Sequence, residues 1–380
     1  MKSDVIIVGG GVIGCSIGLK LAEAGLKVTL LERGRIGCEA SRAAAGMLAT
    51  QSETTVAGPF FDLCLRSRSM YREFAAHLME ASGIDIEYKD EGMVFVMLHA
   101  GEAEEAARWV SWQTEAGLTL ERIAASAIRD WEPAVTESAT GAIFIPGDHQ
   151  VENRRLMDAL EVAIKRAGVQ LIEGAEVSAL TTELGRVTGV ISNGQRLDAG
   201  VVVVAAGTWS SPLLEPLAPR VQVTPARGQM VALRGRGCPI TRALHSRRVY
   251  IVPRRDGRIL VGSTVDYAGF EKAVTVSGIG SLLSAAIELA PSLREFEIAE
   301  TWSGLRPDTS DHLPVLGSVG VDGLVVATGH FRNGILLAPV TAELIAELIV
   351  TGRSPSALKP FTSERFEAAS PPGNTQHGWP

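Results

Sequence analysis

The sequence predicts an α/β protein: a nucleotide domain built on a parallel sheet, with an inserted, mainly antiparallel α+β substrate domain. Three observations carry this. Residues 4–32, DVIIVGGGVIGCSIGLKLAEAGLKVTLLE, read as strand, glycine turn, helix and strand. The run VVVVAAG at 201–207 is a second fully apolar strand ending in glycine. Between 221 and 264 the pattern is β throughout, VQVTPARGQMVALRG, then VYIVPR, then RILVGST.

The first stretch has a job for each part. Val5-Ile6-Ile7-Val8 fits a parallel strand buried on both faces. Gly9, Gly11 and Gly14 then match G-x-G-x-x-G, with Val12 and Ile13 opening the helix and Gly25 stopping it. Gly9 permits the tight turn, Gly11 lets backbone approach a pyrophosphate, and Gly14 lets helix pack on strand. The helix N-terminus offers free N–H groups and a partial positive charge to phosphate. Glu32 follows the second strand, at about the 20-residue spacing the fingerprint asks for. Its carboxylate suits an unphosphorylated ribose, which favours FAD or NAD over NADP.

The totals narrow the class. The 380 residues allow two domains and a large core. Hydrophobic residues are 46% and charged residues 21%, the profile of a globular chain. A net charge of −7 without a basic block argues against nucleic acid. Cys15, Cys38, Cys64 and Cys238 form no C-x-x-C pair and no metal spacing, so no metal site is expected and a reducing compartment is. The apolar start is broken at once by Gly9-Gly10-Gly11, which does not fit a signal peptide. The apolar stretch 335–350 carries Pro339, Glu343 and Glu347 and reads as a buried or amphipathic helix, not a membrane span. A cytoplasmic protein is expected.

In chain order, 40–47 is a run of small residues, which lets backbone come close to a packed helix or a flat ligand. Helical spacing recurs over 60–81, 103–116 and 154–167, and a buried strand is expected at 92–98. Ser192-Asn193-Gly194 signals a hairpin between 187–191 and 196–197. Residues 254–257 turn a second hairpin, 277–289 is a helix stopped by Pro291, and 297–302 is a strand. A last buried strand at 324–327 leads into GHFRNG and a long helix to Thr351. The tail from Ser354 reads as frayed. The expected division is 1–50, 146–212 and 303–353 for the nucleotide domain, and 51–145 with 213–302 for the substrate domain.

Six stretches together, GGGVIG with Glu32, SRAAAGML, VVVVAAGTWS, YIVPR, WSGLRPDTSDHLPVLG and GHFRNGILLAP, resemble the D-amino-acid oxidase superfamily from about Ser3 to about Thr351. Within it the motifs are most similar to the glycine oxidases of the thiazole branch of thiamine synthesis. The resemblance implies an FAD-binding, Rossmann-like domain, non-covalent FAD, a small amino-acid substrate, oxygen as acceptor and a homo-oligomer. It implies oxidation of glycine to its imine and glyoxylate with hydrogen peroxide. It leaves open a D-amino-acid dehydrogenase, a sarcosine-type oxidase or a non-catalytic flavin-binding subunit.

It also implies site residues. Arg306 is the carboxylate clamp, a role that suits the planar guanidinium fork. Read from the residues, Arg306 lies just past a strand end, where open-sheet ligands bind. Tyr250 is implied as a second carboxylate donor and Arg332 as a neighbour of substrate and flavin. Met47 and Val265 are candidate pocket walls. For the cofactor the resemblance implies Gly9, Gly11, Val12, Ile13 and Gly14, then Glu32, Arg33, Ala40, Ser41, Ala45, Gly46 and Met47, then Val177, and finally His330, Phe331, Arg332, Asn333, Gly334, Ile335 and Leu336. His330 is read as a flavin-side backbone position, without acid–base work.

Overall fold

The computed structural model describes residues 3–54, 56–99, 101–237 and 240–366. Two eight-stranded sheets organise them. The first runs in the order Val315–Ser318, Leu324–Thr328, Gln195–Val204, Ser3–Val8, Val28–Glu32, Gln170–Glu173. Ser3–Val8 pairs in parallel with strands on both sides. Val5 and Ile7 enter one core with the helices Val12–Glu23, Asn153–Arg166 and Gly334–Thr351, while Ile6 and Val8 enter another. All four are 5% exposed or less, so burial on both faces explains the unbroken apolar run. Each such side chain contributes about 1.5–3 kcal/mol of burial.

Residues 196–197 and 201–206, read as separate strands, form one strand, Gln195–Val204. Its first half pairs antiparallel with Arg186–Ser192, and its second half pairs parallel with Ser3–Val8. Gly200 sits between the halves, where a Cβ would come within 3.1 Å of the Asp4 carbonyl. Asn193 and Gly194 both have positive φ, which makes the expected hairpin turn.

The second sheet runs Glu297–Asp308, Thr224–Arg234, Arg258–Gly262, Tyr250–Pro253, Ala243–His245, Met93–Met97, Gly141–Ile145, Glu121–Ala124. Its pairings are antiparallel except one, Ala243–His245 beside Met93–Met97. That parallel seam joins strands far apart in the chain. Helix Val276–Leu289 covers one face.

Two expectations are corrected. The strand expected at 297–302 continues to Asp308, paired with Thr224–Arg234, so Arg306 lies inside a strand opposite Ala226 and not beyond a strand end. Gly304 and Pro307 look like breakers, but this is an edge strand, where a missing N–H is tolerated. The tail is not frayed as far as it is described. Leu358 and Phe361 are buried and Arg365 pairs with Asp311 at 2.7 Å. Residues 367–380 and Cys238 lie outside the described residues.

Helix Gly334–Thr351 is long and apolar enough to cross a membrane by composition. Most of it is buried instead, against Val12–Glu23 and Pro59–Ser82. Helix Val12–Glu23 meets its strand with little room: a Cβ on Gly14 would lie 2.0 Å from the Gly9 carbonyl. Gly14→Ala is expected to lower the unfolding free energy by about 3 kcal/mol, measured by urea denaturation. An unchanged midpoint would contradict this packing.

Candidate active site

A cavity of about 480 Å³ lies between the carboxyl ends of the first sheet and one face of the second. At one end Gly9 turns the chain with φ 112°, and a Cβ there would meet the Ala205 carbonyl at 2.4 Å. Beside Gly11 a Cβ would meet only Ser41 Oγ, at 3.3 Å. The helix that follows has Gly11 as its N-cap, with no side chain of its own, and no acidic residue in its first turn, so its N-terminal end favours an anion. Ser41 Oγ accepts the Val12 N–H at 2.9 Å. The Glu32 carboxylate accepts the Gly10 and Gly34 N–H groups, each at 2.8 Å, and is thereby aimed into the cavity.

The wall between the two ends is the small-residue stretch, and its carbonyls are held from behind. Asn153 donates to the Ser41 and Arg42 carbonyls at 2.8 and 3.1 Å. Trp302 Nε1 donates to the Ala43 carbonyl at 2.9 Å. Arg254 donates to the Ala45 carbonyl, and to that of Val151 at 2.8 Å. Arg254 is buried and paired with buried Glu152 at 2.9 Å; burial pulls its pKa down while Glu152 pulls it back. Gly46 has φ 69°, and a Cβ there would strike the Val151 carbonyl at 2.1 Å.

The other end carries the arginines. Arg306 lies across Gly228, where a Cβ would come within 2.3 Å of its guanidinium. It donates to the Thr264 carbonyl at 3.1 Å, to Ser263 Oγ and to the Tyr250 phenol. Burial lowers the Arg306 pKa, and the neighbouring Tyr250 opposes that. The Tyr250 hydroxyl lies 3.2 Å from Met230 Sδ, and burial raises its pKa, so it stays protonated. Arg332 pairs with Glu53 at 3.4 Å. Burial pushes the Glu53 carboxyl up, but Arg332, His245 and Arg306 outweigh it and hold the carboxyl below its ordinary range. His330 is buried, with Nε2 3.2 Å from Thr341 Oγ1, and burial pushes its pKa down to about 3.

The structure therefore brings Arg306, Tyr250 and Arg332 to the same cavity as the glycine turn, Glu32, Arg33, Ala40, Ser41, Ala45, Gly46, Met47, Val177 and the stretch from His330 to Ile335. Three residues named from the sequence do not line it. Gly14 acts from beneath, by its missing side chain. Leu336 is a core residue whose carbonyl accepts from Ser67 at 2.6 Å. Val265 is 39% exposed on a loop. Glu53, Asn153, Arg254 and Trp302 were missed. Each works through a partner more than a hundred residues away in sequence, a distance over which no local pattern signals.

The family model for FAD dependent oxidoreductases matches residues 4–348. The chain belongs to this family. Glycine oxidase of Geobacillus kaustophilus is 36% identical over 96% of this chain and 97% of its own. A crystal structure of glycine oxidase from the same species has a TM-score of 0.92 at 35% identity, covering 96% of this chain and 99% of that one. The bifunctional protein ThiO/ThiG of Synechocystis is 38% identical over 97% of this chain. The chain spans 55% of that relative's length. The resemblance read from the motifs is thus borne out, and FAD is the cofactor. The residues fit it: a helix N-terminus that favours an anion, a carboxylate aimed into the cavity and a wall without bulky side chains.

Because the fold holds His330 neutral, its contribution is whole above the ordinary pKa of 6.5 and is lost as pH falls towards 3. Between pH 6.5 and about 4 the wild-type Tm is expected to fall more steeply than that of His330→Gln. Parallel Tm curves would contradict a buried neutral ring.

Proposed function

We propose that the chain oxidises glycine to its imine with FAD. The observation that carries this is the half-buried Arg306 guanidinium, steadied by Ser263 and Thr264 with Tyr250 beside it at the cavity wall. The relatives named glycine oxidase support the choice of substrate. Arg306 binds the substrate carboxylate through its planar fork. Tyr250, kept protonated by burial, donates a further bond. Glu53 takes up the charge of Arg332, leaving one uncommitted arginine for one carboxylate. Burial pushes the His330 pKa down to about 3, which makes its imidazole too weak a base to deprotonate an ammonium, so the amine arrives already deprotonated.

Bound FAD supplies the two-electron acceptor. The α-carbon would pass its hydride to the flavin and the amine nitrogen would lose a proton to solvent, which leaves the imine. Water converts it to glyoxylate and ammonia. We place oxygen as the final acceptor, yielding hydrogen peroxide, and thiazole formation as a destination of the imine; the ThiO/ThiG relatives support the second point. We read FAD as held without a covalent bond: no cysteine follows Cys238, so none lies in the stretch that carries Arg306 and Arg332, and the one described cysteine lining the cavity, Cys38, stands beside Glu39 at the nucleotide end. A homo-oligomer in the cytoplasm, with the domain division given above, completes the reading.

Without oxygen, glycine is expected to bleach the visible flavin spectrum, and air to restore it with peroxide. A spectrum untouched by glycine would overturn the substrate. Arg306→Met is expected to raise the glycine KM by about 100-fold while FAD stays bound. An unchanged KM would remove Arg306 from the carboxylate site.

A further inference from the structure

We infer that the loop 264–275 is a strap that helps retain FAD by bracing residues that line the nucleotide end of the cavity. Both of its ends are pinned to strand Thr224–Arg234. Thr264 Oγ1 accepts the Gln229 N–H at 3.0 Å. Asp266 exchanges backbone bonds with Arg227 at 2.7 and 2.9 Å and pairs with its side chain at 3.2 Å. At the far end the Thr275 N–H donates to Gln229 Oε1 at 2.7 Å. Between these anchors the chain has no regular structure, and Tyr267, Phe270 and Val274 are 58%, 51% and 39% exposed.

The middle of the strap reaches away from its own sheet. Phe270 lies on Trp209, ring centroids 5.6 Å apart, and Trp209 in turn carries the Arg33 guanidinium 3.6 Å from its ring centre. Lys272 Nζ pairs with both Glu39 oxygens, at 3.0 and 3.2 Å. Its backbone carbonyl accepts from Ser303 Oγ at 2.6 Å. Trp209, Arg33 and Glu39 all line the cavity, on the side of Glu32. Tyr267 adds a bond to Asp308 at 2.7 Å. Two fixed ends and a middle held by one ring contact, one exposed ion pair and two hydroxyl bonds make a part that opens without unfolding either sheet. None of its residues lines the cavity itself, so it acts through Trp209, Arg33 and Glu39, and a bound dinucleotide leaves faster when those contacts let go. Exposed contacts of this kind each correspond to a few-fold change, so losing two together speeds release about tenfold.

The strap rests on the FAD assignment and not on the substrate, so its test uses no glycine. Holoprotein is diluted and free FAD fluorescence is followed for wild type, the double variant Phe270→Ala/Lys272→Ala, and Lys272→Glu. The double variant is expected to release FAD about tenfold faster, and Lys272→Glu to release it faster than wild type. The Tm of the holoprotein should fall while that of the apoprotein stays put. Release at the wild-type rate would overturn the strap. An apoprotein Tm that falls as far as the holoprotein's would overturn it too, since the contacts would then be serving the fold. A wild-type protein that takes up no FAD would overturn the strap and the cofactor assignment together.

Discussion

The carbonyl of Gly9 has almost no room around it. A Cβ on Gly14 would lie 2.0 Å from it, and a Cβ on Gly9 would lie 2.4 Å from the Ala205 carbonyl. Two glycines thus let a strand end, a helix start and the end of a neighbouring strand meet at one point. The helix N–H groups then face the space beyond the sheet. Glu32 reaches the same space because it closes the adjacent strand and is fixed by two backbone N–H groups. Without this close approach there would be no nucleotide end, and the second sheet would have nothing to enclose.

The second sheet completes the cavity in two ways. It supplies Arg306 from an edge strand and Tyr250 from an inner one, and Gly228, on the strand next to the edge, leaves room for the guanidinium. It also braces the small-residue wall. Trp302 and Arg254, both from this sheet, hold the Ala43 and Ala45 carbonyls, while Asn153 holds two more from a helix of the first layer. An unpaired buried carbonyl is costly, so these bonds fix the path of a stretch whose own side chains are too small to fix it. The buried Arg254–Glu152 pair would be a liability in isolation. Its two further carbonyl bonds give it a use: it joins the wall, the start of helix Asn153–Arg166 and the second sheet at one point.

Much of this was legible from local pattern. Val5 to Glu32 announced strand, turn, helix and ribose carboxylate because each depends on neighbours in sequence. The motifs around Arg306 and Arg332 also located the cavity's other end. What failed did so for identifiable reasons. Gly304 and Pro307 disguised a strand whose edge position excuses them. Proline and serine after Ser354 hid the anchoring of Leu358 and Phe361. Glu53 sits in a stretch without periodicity, and its partner Arg332 is 279 residues away. Leu336 followed a true cavity run by one position too many, because the helix turns that side chain into the core.

The central claim is that a single carboxylate is bound by the arginine from the edge strand, beneath a cofactor held by the glycine turn. The most direct measurement is a crystal structure of the FAD-loaded protein with glycolate, which has glycine's carboxylate but no amine to oxidise. The account predicts glycolate oxygens within hydrogen-bond reach of the Arg306 guanidinium and the Tyr250 hydroxyl, with the Arg332–Glu53 pair intact. Glycolate bound instead to Arg332, with Glu53 displaced, would contradict it.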